Sequence, residues 1–181
     1  NSGQSSLACT IGGSYKFTHS TFSNYWNNNI RQYPTVLINN YFSYSQNTSE
    51  IVEARDLKKA EFTNCIIDGS NTIELILDKV DGGEFNYSFK NNLIKFNDAN
   101  NSFSDIAEYD FENTDHFLNN IFNGTPDFKS VNNNNLIIGE NSAGNQKANP
   151  NGTNQVPYDI LGVLRNTPAD NGAYQHIIFT N

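Results

Sequence analysis

Asp78 and Asp81 stand three residues apart at a glycine-rich turn, Asp81-Gly82-Gly83. A hard cation is held by carboxylate and carbonyl oxygens, so the pair could share a face or cradle Ca²⁺. The same spacing also describes an ordinary solvated turn. A second acidic set, Asp105, Glu108, Asp110, Glu112 and Asp115, ends at His116. Glycoside hydrolysis needs two carboxyl groups facing each other across a sugar. A run along the chain does not supply that arrangement, and this one reads as a solvated segment. Arg31, Arg55 and Arg165 are the only arginines and are scattered, while His19 and His176 belong to no Ser/His/Asp set. No phosphate loop or metal-ligand spacing is present, and no catalytic residue is assigned. Tyr25, Trp26 and Tyr33, with Tyr41 and Tyr44 beyond them, concentrate aromatic rings in one region. Such rings could stack on sugars while neighbouring asparagines bond hydroxyls, or they could staple a long loop to the core.

The elements that must position these groups are announced by a repeated phrase. Phe17-Thr18-His19-Ser20-Thr21-Phe22 is echoed at Leu37-Ile38-Asn39-Asn40-Tyr41-Phe42, at Phe62-Thr63-Asn64-Cys65-Ile66-Ile67 and at Phe89-Lys90-Asn91-Asn92-Leu93-Ile94. Repeats of this period, one strand-like phrase in each, predict a solenoid of stacked units. Equivalent residues of stacked parallel strands lie about 4.8 Å apart. His19, Asn39, Asn64 and Asn91 are therefore expected to form a side-chain ladder, with Ser20, Asn40, Cys65 and Asn92 beside it. The Phe, Leu and Ile columns are expected to fill the core.

Composition agrees with a strand- and turn-rich chain. Thirteen Phe, nine Tyr and twelve Gly stand against five Pro and no Met. With 36% hydrophobic and 13% aromatic residues, the chain is too apolar for disorder. The best helical period, Asp110 to Phe122, is short. A net charge of −8 argues against nucleic acid, which demands a basic patch. No run approaches the roughly 18 apolar residues that span a bilayer. A start at Asn-Ser-Gly-Gln, without Met, reads as a processed or partial chain that continues from an N-terminal portion of the same protein. Cys9 precedes the first copy of the repeat and Cys65 lies in the third. Stacking would hold their Cα atoms roughly 10 Å or more apart. A disulfide needs about 7 Å or less, so two free, mostly buried thiols are expected.

The second half is less regular. Pro126-Asp127-Phe128 opens a strand, Gly139-Glu140-Asn141-Ser142-Ala143 follows another, and the chain closes through Asp159 to Arg165, Pro168 and Asn171-Gly172-Ala173-Tyr174-Gln175. These phrases resemble the closing "P-x-F", "G-x-x-S-P-A-x-D-x-G" and "D-x-x-G-x-x-R … P-D-x-G-A-Y-E" segments of right-handed parallel β-helix proteins in the pectin-lyase-like superfamily. The exported or lipid-anchored members common in Bacteroidetes are the most similar. The second phrase lacks its Pro and Asp here, and Asn171 and Gln175 replace acids in the third.

The resemblance implies an all-β, right-handed parallel β-helix over residues 1–139 and an irregular cap over 140–181. It implies an extracellular or bacterial outer-membrane location. Lyases of this kind use a Ca²⁺-binding carboxylate group and a basic residue. Arg165, inside the closing motif, is expected to bond loop carbonyls or Asp170 instead. The reading is a non-catalytic cell-surface module for adhesion, glycan contact or assembly. Its ligand candidates are Tyr25, Trp26 and Tyr33, its Ca²⁺ candidates Asp78 and Asp81, and its partner a glycan or another surface protein. The alternative is part of a polysaccharide lyase or glycoside hydrolase whose site lies mainly in preceding strands.

Overall fold

The computed structural model describes residues 2–179. Its strands run β1 (Leu7–Cys9), β2 (Gly13–Thr18), β3 (Thr21–Asn24), β4 (Val36–Asn39), β5 (Tyr41–Gln46), β6 (Ser49–Ala54), β7 (Leu57–Thr63) and β8 (Ile66–Gly69). They continue as β9 (Leu75–Asp78), β10 (Phe85–Lys90), β11 (Leu93–Ile94), β12 (Phe117–Leu118), β13 (Ile121–Phe122), β14 (Phe128–Ser130) and β15 (Asn135–Ile138). One short helix, α1 (Pro150–Gln155), is the only α-helix among the described residues. The region expected to be helical, Asp110 to Phe122, instead passes from turns into β12 and β13.

The expected right-handed β-helix solenoid is corrected by the sheet topology. The strands form five separate sheets, and none closes on itself. Three are parallel, in the orders β1-β4-β9, β12-β10-β7-β2 and β13-β11-β8-β3, and two are antiparallel pairs, β5-β6 and β14-β15. Copies of unequal length, one of them carrying the inserted β5-β6 hairpin, account for the interruption.

The repeat register is corrected too. Phe17 pairs with Phe62, Phe62 with Phe89 and Phe89 with Phe117. The Leu37 phrase belongs to a different sheet, opposite Ala8 and Ile76. Its true counterpart is a copy in the acidic second half, Phe117-Leu118-Asn119-Asn120-Ile121-Phe122. The four phenylalanines stack with centroids 4.9, 4.8 and 5.4 Å apart. Phe22, Ile67, Ile94 and Phe122 line up beside them through the third sheet.

The recurrent Asn has a backbone cause. His19, Asn64, Asn91 and Asn119 occupy the corner between two strands with φ of 49°, 57°, 53° and 55°. Asn is the side chain that enters the left-handed region most readily after Gly. The amide ladder sits one residue later: Asn92 Nδ2 donates to Asn120 Oδ1 at 2.9 Å, and Cys65 N donates to Asn92 Oδ1 at 2.7 Å. Asn39 stands outside this column and accepts from Ile11 N at 2.7 Å. Cys9 and Cys65 are both free and buried, as expected. Burial raises their thiols to about 11 and about 12, which keeps them protonated.

Residues after 139 fold back along the outer side of the sheets, with Ala173 N on Thr21 Oγ1 at 2.9 Å, Gly172 N on Asn64 O at 2.7 Å and Asn91 Nδ2 on Lys147 O at 3.4 Å. At Gly152 a Cβ would come within 2.5 Å of Asn64 Nδ2, so only glycine lets α1 lie this close. The covered surface is apolar: Ile66, Leu93 and Ile138 form a second core with Ile121, Phe128 and Ala143.

Candidate functional site

In the third sheet the residue after each apolar pair points away from the main core. Ser23 pairs with Asp68, and Lys95 and Asn123 follow Ile94 and Phe122 in the same column. Asp68, Lys95 and Asn123 line a cleft of about 330 Å³ with Tyr25, Asn97, Gly124, Thr125 and Pro126. Its volume is at the small end of ligand pockets.

Asp68 is the chemical centre of the cleft, a carboxylate only 4% exposed. Tyr25 Oη donates to its Oδ1. Burial raises the Asp68 carboxyl above its ordinary value, against the opposing pull of the Tyr25 hydrogen bond and the Lys95 ammonium. The Tyr25 hydroxyl is itself held protonated, by burial first and by its bond to Asp68 second. Lys95 Nζ spends one donor on Gly69 O at 2.6 Å; the ammonium has three. Among the described residues the side chains of Asn97 and Thr125 make no intramolecular hydrogen bond, and both are exposed. Carboxylate acceptor, ammonium donor, amide and hydroxyl thus meet beside the ring of Tyr25, which packs edge-on against Phe128 at 6.3 Å.

A buried ion pair fixes the wall behind Asp68. Arg31 Nη2 contacts Glu74 Oε1, and Arg31 Nη1 donates to Glu74 Oε2 at 2.9 Å. Glu74, fully buried, also accepts from Thr35 N and Asn71 N, both at 2.7 Å. The Thr35 hydroxyl lies 3.0 Å from Asp68 O and 2.9 Å from Glu74 Oε2. Glu74 is therefore fully engaged and cannot act as a second carboxylate in the cleft.

The other residues singled out by type and spacing do not join this cleft. Trp26 lies beside Gly3, and Tyr33 is 47% exposed; neither lines the cleft with Tyr25. Asp78 and Asp81 do share a groove, with Lys79, Glu108 and Tyr109. There Asp78 accepts from Tyr41 Oη at 2.6 Å and Glu108 pairs with Lys79 at 3.2 Å. No three His, Cys, Asp or Glu among the described residues converge as a metal-binding set. Within the acidic run, Asp110 accepts from Glu112 N and the intervening Asn113 from Asp115 N, both at 3.1 Å, and so they shape turns. His116 stacks on Tyr87 at 4.3 Å. Arg165 bonds the carbonyls of Gly172 and Ala173, at 3.1 and 3.3 Å. His176 Nδ1 lies 2.8 Å from Asp170, which also accepts from Gln146 N and Gln175 Nε2.

No family model, curated protein or solved structure matches this chain. No helix among the described residues is long and apolar enough to cross a membrane.

Proposed function

We propose that the protein is a non-catalytic extracellular or cell-surface module that contacts glycans, and that the Asp68 cleft is where it does so. The observation that carries this reading is the convergence of Asp68, Lys95, Asn97 and Thr125 beside Tyr25. A carboxylate accepts from paired sugar hydroxyls, an ammonium and an amide donate to ring and hydroxyl oxygens, and an aromatic edge with Pro126 offers an apolar wall. The reading of part of a lyase or hydrolase finds less support. Among the described residues Asp68 has no second free carboxylate lining the cleft with it, and Glu74 behind it is bound to Arg31.

A titration of isotopically labelled protein with neutral and uronic-acid oligosaccharides, followed by amide NMR, tests the proposal. The expected result is saturable shifts clustered on residues 68, 95, 97 and 125, weakened about tenfold or more by Asp68→Asn. Shifts scattered elsewhere, or none with either sugar class, would overturn it.

A further inference from the structure

The closing segment is fastened to the sheets at one fully buried residue, Asn64, in the corner between β7 and β8. Its carbonyl accepts from Gly172 N at 2.7 Å, its Oδ1 accepts from Asn149 N at 2.6 Å, and its Nδ2 donates to Asn149 O at 3.0 Å. The second hydrogen of Nδ2 goes to His19 Nε2 at 2.9 Å. A backbone N–H can only donate, so Asn149 N fixes which end of the Asn64 amide is the oxygen. The other end is the NH₂ group, and His19 Nε2 must therefore accept. Thr153 Oγ1 of α1, which donates to Asn149 O at 3.2 Å, lies 3.1 Å from the same Nε2.

The segment also holds itself together. Ala148 N donates to Ala169 O at 3.0 Å, Asn171 N to Gly144 O at 2.9 Å, and Asp170 accepts from Gln146 N and His176 N at 2.8 and 2.7 Å. Its two ends are anchored away from Asn64, through Ala143 N to Thr125 O at 2.8 Å and Ile177 N to Ile138 O at 3.0 Å. Residues 144–176 can therefore lift as a unit between those anchors. The charged groups that face His19 are Arg165 and Asp170, with Asp159 and His176 behind them on the same segment. Neither α1 nor β3 holds an ionisable residue. On β2, Lys16 is turned to Gln155 Oε1 at 2.7 Å; on β7, Glu61 pairs with Lys59 at 2.9 Å; on β8, Asp68 is turned to Tyr25. Lys90 and Lys147 are exposed.

We propose that residues 144–176 form an acid-released strap with His19 as its trigger. A proton taken up at Nε2 sets an N–H against the Nδ2–H of Asn64, two donors with no acceptor between them. The new N–H can turn to Thr153 Oγ1, but the bond to Asn64 is then lost. Turning the Asn64 amide over would offer its oxygen to the ring and its NH₂ to Asn149 N–H, which moves the same conflict onto the strap. The proton also buries a second positive charge beside Arg165. Burial first, then the Arg165 charge, lower the imidazole from 6.5 to about 4, against the Gly172 and Asp170 carbonyls and the Asp170 carboxylate. Closure is therefore fully favoured above the open-state value of 6.5 and weakens as pH falls toward about 4. A proton on His176 has the opposite sign, since it strengthens the contact with Asp170 at 2.8 Å. The proposal does not depend on the Asp68 cleft being a glycan site.

Amide hydrogen exchange at about pH 8 and about pH 5, corrected for intrinsic rates, is the test. The N–H groups of Asn149, Gly172 and Ala173 report on the strap, and those of Phe89 and Leu93 on the sheets. The expected result is that strap protection falls roughly 30-fold at the lower pH while sheet protection holds. His19→Asn, which places at this corner the residue of the other three, should abolish the fall. Asn64→Asp should abolish it without altering the ring, because a carboxylate accepts from both Asn149 N and a protonated imidazole. Protection that falls equally in strap and sheets, or in neither, overturns the proposal. So does a fall that persists in both variants, which would assign release to carboxylates such as Asp170.

Discussion

The two ends of the phenylalanine stack are built from the same phrase and finished in opposite ways. At the Phe117 end, the segment between β11 and β12 folds over the core as an aromatic plug. Phe111 lies 4.9 Å from Phe117 and 4.3 Å from Phe122, and Tyr109 packs on Phe96 and Phe103. Tyr109 Oη also accepts from Leu77 N at 2.8 Å and donates to Leu77 O at 3.1 Å, supplying bonds that a neighbouring strand would otherwise make for β9. At the Phe17 end, β1, β2 and β3 are all edge strands of their sheets, and Leu7, Tyr15, Phe17 and Phe22 are only partly buried. A column residue is thus worth what covers it, and position in the repeat alone does not set its energy.

The largest expected effect contrasts the two ends of that column. Phe117→Ala removes a ring 4% exposed that touches Phe89, Tyr87, Phe111 and Phe122. A cost of about 3–5 kcal/mol is expected in denaturant unfolding. Phe17→Ala removes a half-covered ring that stacks on Phe62 alone among the column, and about 1–2 kcal/mol is expected. Equal losses would show that the Phe17 end is covered as fully as the other.

A pH dependence distinguishes the corner residues. The corner holds Asn in three copies and His19 in the first. His19, 4% exposed, is bonded through Nε2 to Thr153 Oγ1 at 3.1 Å and to Asn64 Nδ2 at 2.9 Å. Burial, with the Arg165 charge adding to it and Asp170 opposing, lowers its pKa from 6.5 to about 4. The folded state therefore favours the neutral ring. Its stability is complete above the unfolded value of about 6.5 and declines as pH falls toward about 4, by up to about 3 kcal/mol. His19→Asn keeps a residue that tolerates positive φ and should remove this part of the acid slope. The check is the difference between the two proteins' unfolding midpoints at pH 7 and pH 4, because carboxylate titration is common to both. Parallel profiles would mean that His19 is accessible to protons in the folded protein.

What could be read in the sequence follows from which forces act locally. Three of the four Phe-led phrases are visible because an apolar core and a left-handed corner each leave a residue type behind. The fourth, at Phe117, escapes because its two-residue strands lie in a stretch whose apolar residues mimic a short helical period, and the surrounding Asp, Glu and His suggest a solvated segment. The Leu37 phrase misleads for a related reason: Leu-Ile-Asn-Asn satisfies the same apolar-to-polar order while pairing in another sheet. The cleft was half legible. Tyr25 stands out as an aromatic, but Asp68, Lys95 and Thr125 are far apart in sequence and share no motif. The signal that unites two of them is the column position after Ile66-Ile67 and Leu93-Ile94, which lies just beyond the repeated phrase. The closing strap owes its place to long-range contacts such as Asn64 with Asn149, which no local pattern encodes.

The smallest expected effect lies in the column next to the corner. Asn120 Oδ1 accepts from both Asn92 N and Asn92 Nδ2 at 2.9 Å, and its Nδ2 donates to Phe89 O at 2.8 Å. Asn120→Ala leaves those partners unmatched beneath the plug, and about 1–3 kcal/mol is expected. Ser20, its counterpart at the other end, makes a 3.4 Å contact to Thr18 O from a half-buried position. Ser20→Ala should change stability by no more than about 0.5 kcal/mol. Cys65 stands between Ser20 and Asn92 and offers no amide, so the ladder that begins at Asn120 stops at the Cys65 backbone N–H. Paired chemical unfolding of the two variants measures the contrast. A cost at Ser20 matching that at Asn120 would mean that the hydrogen-bonded column runs the full length of the stack and that Cys65 does not interrupt it.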